Sequence, residues 1–391
     1  METRKRVCYL TSHSPVFSKE VGGAEAQLYL IGQQLLGKGW ECHYAINNCG
    51  QKNTETIEGM VFHKVRRLNV REIMAGTSHE NNPLTRLRNI TTSIMANAAR
   101  TLNFEALEHA DADIYHTRCA GKHVGYVGMH AKRRRKPFVF TVAHIDDCTV
   151  SGRTWRGRWW LDRRMYLKGL KSADSVIITS EYLREPLEEN YRGDVRLIRS
   201  GYPIPEISGK PDGGHVLWAA RMVDWKHPEI YFEVAKALPE YEFVMLGGGR
   251  DFRKTEKFNG HQDMKSIGNL RFIDFVPFKE VNTFFREAAV FVDTSDSAGF
   301  PNTFIQSWMH GVPTVSLDVD PDCVICDNRL GYHSKTVDQM VEDVRELMEN
   351  TALRRKTGRR CREYAVKNHD IKDTAAEHDR LYTGLVEDER S

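Results

Sequence analysis

The sequence has no run of about 18 apolar residues, so nothing in it is long enough to cross a bilayer as a helix. It also lacks an excess of one charge. The 56 Lys and Arg nearly balance 53 Asp and Glu, a formal net charge of +3, which by itself argues for no polyanionic partner. Cysteine is scarce: eight in 391 residues, scattered rather than spaced as a disulfide framework. Cys323 and Cys326 form a CxxC, but no second pair lies nearby, and two free thiols in a loop are expected. The opening METRKRVCYLTS lacks the longer apolar stretch of a secretion signal. No short-period repeat or low-complexity segment is present. A reduced, cytoplasmic protein is the expectation.

What is present is alternation. The length exceeds what one core usually serves, so two domains are expected. Short apolar runs at 6–12, 41–47, 59–65, 137–143, 174–180 and 194–198 read as strands. Between them lie helical patterns, such as 24–39 with Leu28, Ile31, Leu35 and Leu36 on one face, and a long helical region near 84–110. A Pro- and Gly-rich stretch at 200–214 breaks the pattern and reads as a linker. Strand-like runs then restart at 215–221, 242–249, 271–277, 289–295 and 313–319, and a charged, mostly helical tail follows from about 335. Such alternation predicts α/β architecture: two doubly wound, Rossmann-like domains facing a cleft. The expected division is 1–199 and 200–370, with a C-terminal helix at about 371–391 packing back on the first domain.

Three turns are candidates for chemistry. Gly22 and Gly23 lie between the first strand and the first helix, where backbone can approach an anion closely. The spacing is not GxGxxG, which speaks against a dinucleotide dehydrogenase. Arg221 and Lys226 follow the first strand of the second domain and are placed to clamp a diphosphate. Gly299, Phe300, Pro301, Asn302 and Thr303 open a helix after a buried strand, with backbone N–H groups free for an anion. From Ser297 to Val319 the only carboxylate is Asp318.

These pieces, in this order, resemble the retaining GT-B glycosyltransferases of the large group often called family 4. The resemblance is carried by GGAE (22–25), AARMVDWKHPE (219–229), EFVMLGGG (242–249), NLRFIDFVP (269–277) and SAGFPNTFIQSWMHGVPTVSLDVDPD (297–322). It implies sugar transfer from a nucleotide-diphosphate sugar to a saccharide or lipid-linked saccharide, without metal or other cofactor. Arg221 and Lys226 would hold the donor diphosphate. Gly299, Phe300, Pro301 and Asn302 would meet donor sugar and phosphate, and Phe275 and Val276 would receive the base through their backbone. Gly22 and Gly23 would face diphosphate and acceptor. His144 matches a histidine near the reacting sugar, with a packed strand-end histidine as the alternative. Such enzymes usually carry two glutamates eight positions apart, the first on the donor sugar and the second on the ribose. Ala298 and Gln306 stand there in this sequence. A GT-B protein that binds a sugar nucleotide or a partner without turnover is therefore the second reading. A sugar-nucleotide epimerase, which would need acids in the cleft, is the third.

The even charge balance hides one patch. From Ala131 to Lys171, twelve Lys or Arg face three Asp. Within it, Trp155, Trp159, Trp160 and Tyr166 interleave with six basic residues from Arg153 to Lys168. Such a segment meets anionic lipid headgroups at the inner membrane face, or it is a helix with aromatics in the core and arginines in water. No nucleic-acid-binding motif accompanies it.

Overall fold

The computed structural model describes residues 4–17, 21–65, 104–150, 155, 160–206, 214–247 and 267–389. The first half runs β1 (Arg6–Leu10), α1 (Gly23–Leu36), β2 (Glu41–Asn47), β3 (Thr54–Ile57), β4 (Met60–Val65), α2 (Glu105–Ala110), β5 (Ile114–Arg118) and α3 (Lys122–Arg134). It continues with β6 (Phe138–Val142), α4 (Ile145–Cys148), α5 (Trp160–Leu170), β7 (Ser175–Ile178), α6 (Arg184–Glu188) and β8 (Asp194–Leu197). The second half runs β9 (His215–Ala219), α7 (Pro228–Ala237), β10 (Phe243–Leu246), β11 (Leu270–Ile273), α8 (Val281–Glu287), β12 (Ala288–Asp293) and α9 (Asn302–Met309). Then come β13 (Thr314–Ser316), α10 (Val324–Asn328), β14 (Gly331–His333), α11 (Val337–Glu349), α12 (Thr351–Asn368) and α13 (Ile371–Asp388).

Two sheets result among the described residues, ordered β3-β4-β2-β1-β5-β6-β7-β8 and β11-β10-β9-β12-β13-β14. All pairings are parallel except β3 with β4. The central strands β6, β9 and β12 are buried along their whole length. Helices cover both faces of a parallel sheet, so its strands read as unbroken apolar runs. The two doubly wound α/β halves are as the alternation predicts.

The departures have physical reasons. β3, TETI, is an exposed and half-buried edge strand that offers no apolar run to read. β13 stops at Ser316 because the Ser316 hydroxyl donates to the Val319 carbonyl at 2.6 Å and turns the chain out of the sheet. β14 is three half-buried residues, too short to show a period. β5 is a central strand whose IYHTR buries His116 and Thr117, so its polarity conceals it. Of the expected helix near 84–110, residues up to 103 lie outside the described residues, and α2 supplies the end.

The chain crosses between the halves twice, side by side. Tyr202 N–H donates to the His369 carbonyl at 2.9 Å and Ile371 N–H to the Tyr202 carbonyl at 3.1 Å. Gln27 on α1 holds Gly201 through both amide ends, each at 3.0 Å. Beyond the second crossing α13 lies on α1. Its Asp379 accepts from Trp40 Nε1 at 2.8 Å, and its Tyr382 hydroxyl meets His116 Nδ1 at 2.5 Å. One apolar core runs from Leu28 and Ile31 through Phe300, Phe304 and Trp308 to Tyr382, so the halves share buried surface. A fully buried phenylalanine such as Phe304 contributes about 1.5–3 kcal/mol.

Asp322 adds a polar tie. It belongs to the second half but accepts from Ser180 Oγ at 2.7 Å, Glu181 N at 3.0 Å and Tyr182 N at 2.9 Å in the first. A carboxylate thereby caps a helical turn (Glu181–Leu183) across the domain boundary. The carboxyl edges of the two sheets are held face to face.

Candidate active site

Ligands of open α/β sheets bind beyond the carboxyl ends of the strands, at the point where strand order reverses. In the first sheet that point lies between β1 and β5. The loops after β1, β5 and β6 there meet the loops after β9 and β12 of the second sheet.

The loop after β9 is built around its two cations. Lys226 Nζ donates to Ser295 Oγ at 2.9 Å, and Ser295 Oγ donates to the buried Asp293 at 2.7 Å. The Lys226 carbonyl accepts from Thr294 Oγ1 at 2.6 Å, and Thr294 in turn accepts from Trp218 Nε1 at 2.9 Å. Lys226 is thus fixed to the end of β12. Arg221 is exposed, and among the described residues its side chain has no hydrogen-bond or ion-pair partner. One cation is anchored and the other is available.

His227 closes this loop, in the left-handed region at φ 44°, before Pro228 opens α7. Its ring meets Glu229 at 2.9 Å and Asp296 at 3.3 Å. Burial works against its charge, but the Glu229 and Asp296 carboxylates outweigh burial and raise its pKa. A raised folded pKa means the contribution is complete below the ordinary value near 6.5 and is lost as pH rises through the folded value. The pair is partly exposed, so the loss is about 0.5 kcal/mol. Chemical denaturation between pH 6 and 9 should show this decline in the wild type, and His227→Gln should flatten it.

The start of α9 faces the first half at van der Waals distance. A Cβ on Gly299 would overlap the Ala143 carbonyl oxygen, and one on Gly23 would overlap the Asn302 amide. The Ala143 carbonyl is backbone and cannot give way, whereas the Asn302 side chain can turn aside; the two glycine turns singled out in the sequence thus touch across the cleft. Helix α9 has no side-chain cap at its N-terminus, and Asn302 Oδ1 is buried without a partner. The Phe300 ring is turned inward. It packs on His369 and Trp308, with centroids 4.9 and 6.0 Å away, so this residue offers the cleft its backbone only. Pro301 is buried and Thr303 half-buried.

His144 stands just past the end of β6 and is held by the turn that follows it. Its Nδ1 accepts from Asp146 N at 3.1 Å and caps α4. That bond places the proton of the neutral ring on Nε2, which is buried and without a partner. Asp147 completes the turn by accepting from Ala120, Ala143 and His144 N–H groups at 2.8, 2.8 and 3.0 Å. Burial pushes the Asp147 carboxyl pKa up, against these donors.

The basic aromatic segment explains why this turn is rigid. Trp155 Nε1 donates to the Asp146 carbonyl at 3.0 Å, and the Tyr166 hydroxyl donates to the Asp147 carbonyl. Both rings are fully buried and in contact, so for these two the packed reading is correct. Residues 151–154 and 156–159, including Trp159, lie outside the described residues. Trp160 and Leu161, 57% and 39% exposed, stand at the start of α5. Arg164 lies over the Trp160 ring at 5.5 Å.

Ala298 and Gln306 each make a contact of their own. Gln306 is buried on α9 and donates to Asn282 Oδ1 at 3.2 Å. The Ala298 carbonyl accepts from the Tyr182 hydroxyl of the first half. Phe275, 40% exposed, and Val276 follow β11, and their backbone groups have no partner among the described residues.

The structure adds residues the sequence did not single out. Tyr182 and Asp322 tie the halves together, and Arg118 ends β5 at the reversal point; no spacing pattern marks any of them. Cys323 and Cys326 are free and exposed, as expected. A metal-ligand group invisible in the sequence also forms: Asp320, Cys326 and His333 bring one ligand atom each within 4.8 Å of the others.

Comparison with known proteins agrees with this geometry. Residues 21–204 match Glycosyltransferase Family 4, and residues 213–350 match Glycosyl transferases group 1. No curated protein matches the sequence. Among solved structures, sucrose-phosphate synthase from Thermosynechococcus elongatus superposes with a TM-score of 0.78 at 16% identity, covering 98% of this chain and 99% of that one. A mutant of S. aureus TarM in complex with fondaparinux, α-GlcNAc-glycerol and UDP gives 0.71 at 12% identity, covering 97% and 99%. Anabaena HepE in complex with UDP and glucose gives 0.67 at 12%, covering 97% and 100%. Two glycosyltransferase models thus match successive segments of the chain, and its two Rossmann-like halves have the GT-B fold of these structures.

Proposed function

We propose that the protein is a retaining glycosyltransferase that moves a sugar from a nucleotide-diphosphate sugar to a saccharide or lipid-linked saccharide, with no metal in the step. The observation that carries this is that Arg221 and the anchored Lys226 follow β9, while the uncapped start of α9 follows the neighbouring strand β12 of the same sheet. Such donors suit a diphosphate that gains charge as it leaves. A preorganised donor of this kind contributes about 2.7–4 kcal/mol to a transition state. His144 Nε2–H would donate to a hydroxyl of the transferred sugar, and Gly22 and Gly23 would leave room for diphosphate and acceptor. The backbone of Phe275 and Val276 would receive the base. Gln306 replaces a charged acceptor by a neutral one, at a cost of about 1.5–3 kcal/mol where that bond is made. Ala298 and Gln306 also support the second reading, a binder without turnover.

A thermal-shift panel of UDP-, GDP-, ADP- and dTDP-sugars tests the donor site. One class is expected to raise the melting temperature and to be hydrolysed slowly without acceptor. Stabilisation without hydrolysis would favour the binder, and no stabilisation by any member would remove both readings. No helix among the described residues is long and apolar enough to cross a membrane. Peripheral contact at the inner membrane face through Trp160, Leu161 and the neighbouring arginines is the accompanying proposal. Flotation with anionic liposomes should be salt-sensitive and weakened in Trp160→Ser; equal flotation of both proteins would remove it.

A further inference from the structure

Arg118 is the last residue of β5 and stands at the carboxyl edge of the first sheet, at the reversal point between β1 and β5. Among the described residues its one hydrogen bond is from Nη2 to Ser200 Oγ, at 3.1 Å, and Ser200 is itself buried. Its Nε is buried with no partner, and no carboxylate of the described residues lies within ion-pair distance. Burial lowers its pKa, while Cys119, Asp147, Tyr202 and Glu25 act on it from further off. Asp147, the nearest buried carboxylate in the turn beyond β6, is committed to three backbone N–H groups. Cys119, the next residue, feels the charges of both Arg118 in the first half and Arg221 in the second.

Arg118 is half-buried, and a guanidinium whose Nε–H is buried with no partner among the described residues is costly unless something charged completes it. Its fork matches the oxygens of a phosphate or carboxylate. It belongs to the half opposite the cationic loop proposed for the donor. We propose that Arg118 is an anion-binding residue of the acceptor site and that the acceptor carries a phosphate or carboxylate close to the hydroxyl that receives the sugar. This deepens the glycosyltransferase reading by naming the acceptor's chemical class, but binding of the anion does not depend on donor turnover.

The test uses the full chain, with glucose 6-phosphate and glucuronate as probes of the two anion types and glucose as the neutral control. Isothermal titration is run with and without UDP on the wild type, Arg118→Lys and Arg118→Gln. One of the two anionic probes should bind the wild type more tightly than glucose. Its affinity should fall about tenfold or more in Arg118→Gln and by less in Arg118→Lys, which keeps the charge but loses the fork. UDP affinity should be unchanged in both variants. Equal affinity in wild type and Arg118→Gln, or no binding of either anion, overturns the proposal. So does a parallel loss of UDP and anion, which would assign Arg118 to the donor. Anion binding that depends on Arg118 in a protein indifferent to UDP would sustain this site while removing the donor reading. If Arg118→Gln does not fold by circular dichroism, Arg118→Lys decides: an affinity equal to the wild type overturns the proposal.

Discussion

Replacing Arg221 by alanine is expected to lower sugar transfer, or donor hydrolysis in the absence of acceptor, by about 10²–10³ without loss of fold. The Arg221 side chain is exposed and makes no hydrogen bond or ion pair among the described residues, so its truncation deletes no hydrogen bond or ion pair among them. On the proposed mechanism, what it deletes is a full charge that stabilises the leaving diphosphate. Because that charge grows as the bond breaks, kcat should fall more than KM rises. Lys226→Ala should be comparably damaging but less clean, since Lys226 also holds Ser295 at 2.9 Å. The comparison separates a catalytic cation from a scaffold one. Steady-state kinetics with the donor found by thermal shift, alongside the unfolding midpoint of each variant, supplies the measurement. An Arg221→Ala protein with wild-type turnover would remove the cationic-loop mechanism.

The second large effect is expected from the smallest change, Gly299→Ala. The added methyl would overlap the Ala143 carbonyl oxygen, which is backbone and cannot rotate away. Either the start of α9 or the turn carrying His144 must move. Overpacking of this kind costs about 1–3 kcal/mol. A displacement of about 1 Å between catalytic groups costs about 10²-fold in rate. The expected protein is folded, slightly destabilised and about a hundredfold less active. Small-angle scattering should report a wider separation of the halves. Alanine at Gly299 with unchanged activity and shape would mean that the contact between these turns is not needed for turnover. Gly23→Ala makes the milder control, because the Asn302 side chain it meets can turn aside.

Much of this was legible before any coordinates. Apolar strands such as FVFTV and the run AAVFVD announce a parallel sheet because buried strands have no polar face to show. The glycine turns and the cationic loop were legible because each breaks a regular pattern at a strand end. Polar content hid β5, since its buried His116 and Thr117 are satisfied by Thr141, Tyr382 and the Leu10 carbonyl, partners far away in sequence. The Trp- and Arg-rich segment suggested a surface role because composition does not tell which side chains point inward. Trp155 and Tyr166 instead brace the His144 turn.

The sequence by itself determined the alternation, the two halves and the anion-ready turns, because these depend on local periodicity and on residues with special backbone freedom. It also carried the identities of Ala298 and Gln306, which no fold alters. Tertiary structure decided which cation is anchored and which is available, that Phe300 turns inward, and that Asp322 ties the halves together. It alone left Arg118 at the carboxyl edge of the first sheet with its Nε buried and unpartnered among the described residues. Those outcomes are set by contacts between residues tens to hundreds of positions apart. Burial and satisfaction of such groups are properties of the assembled fold, and no local pattern encodes them.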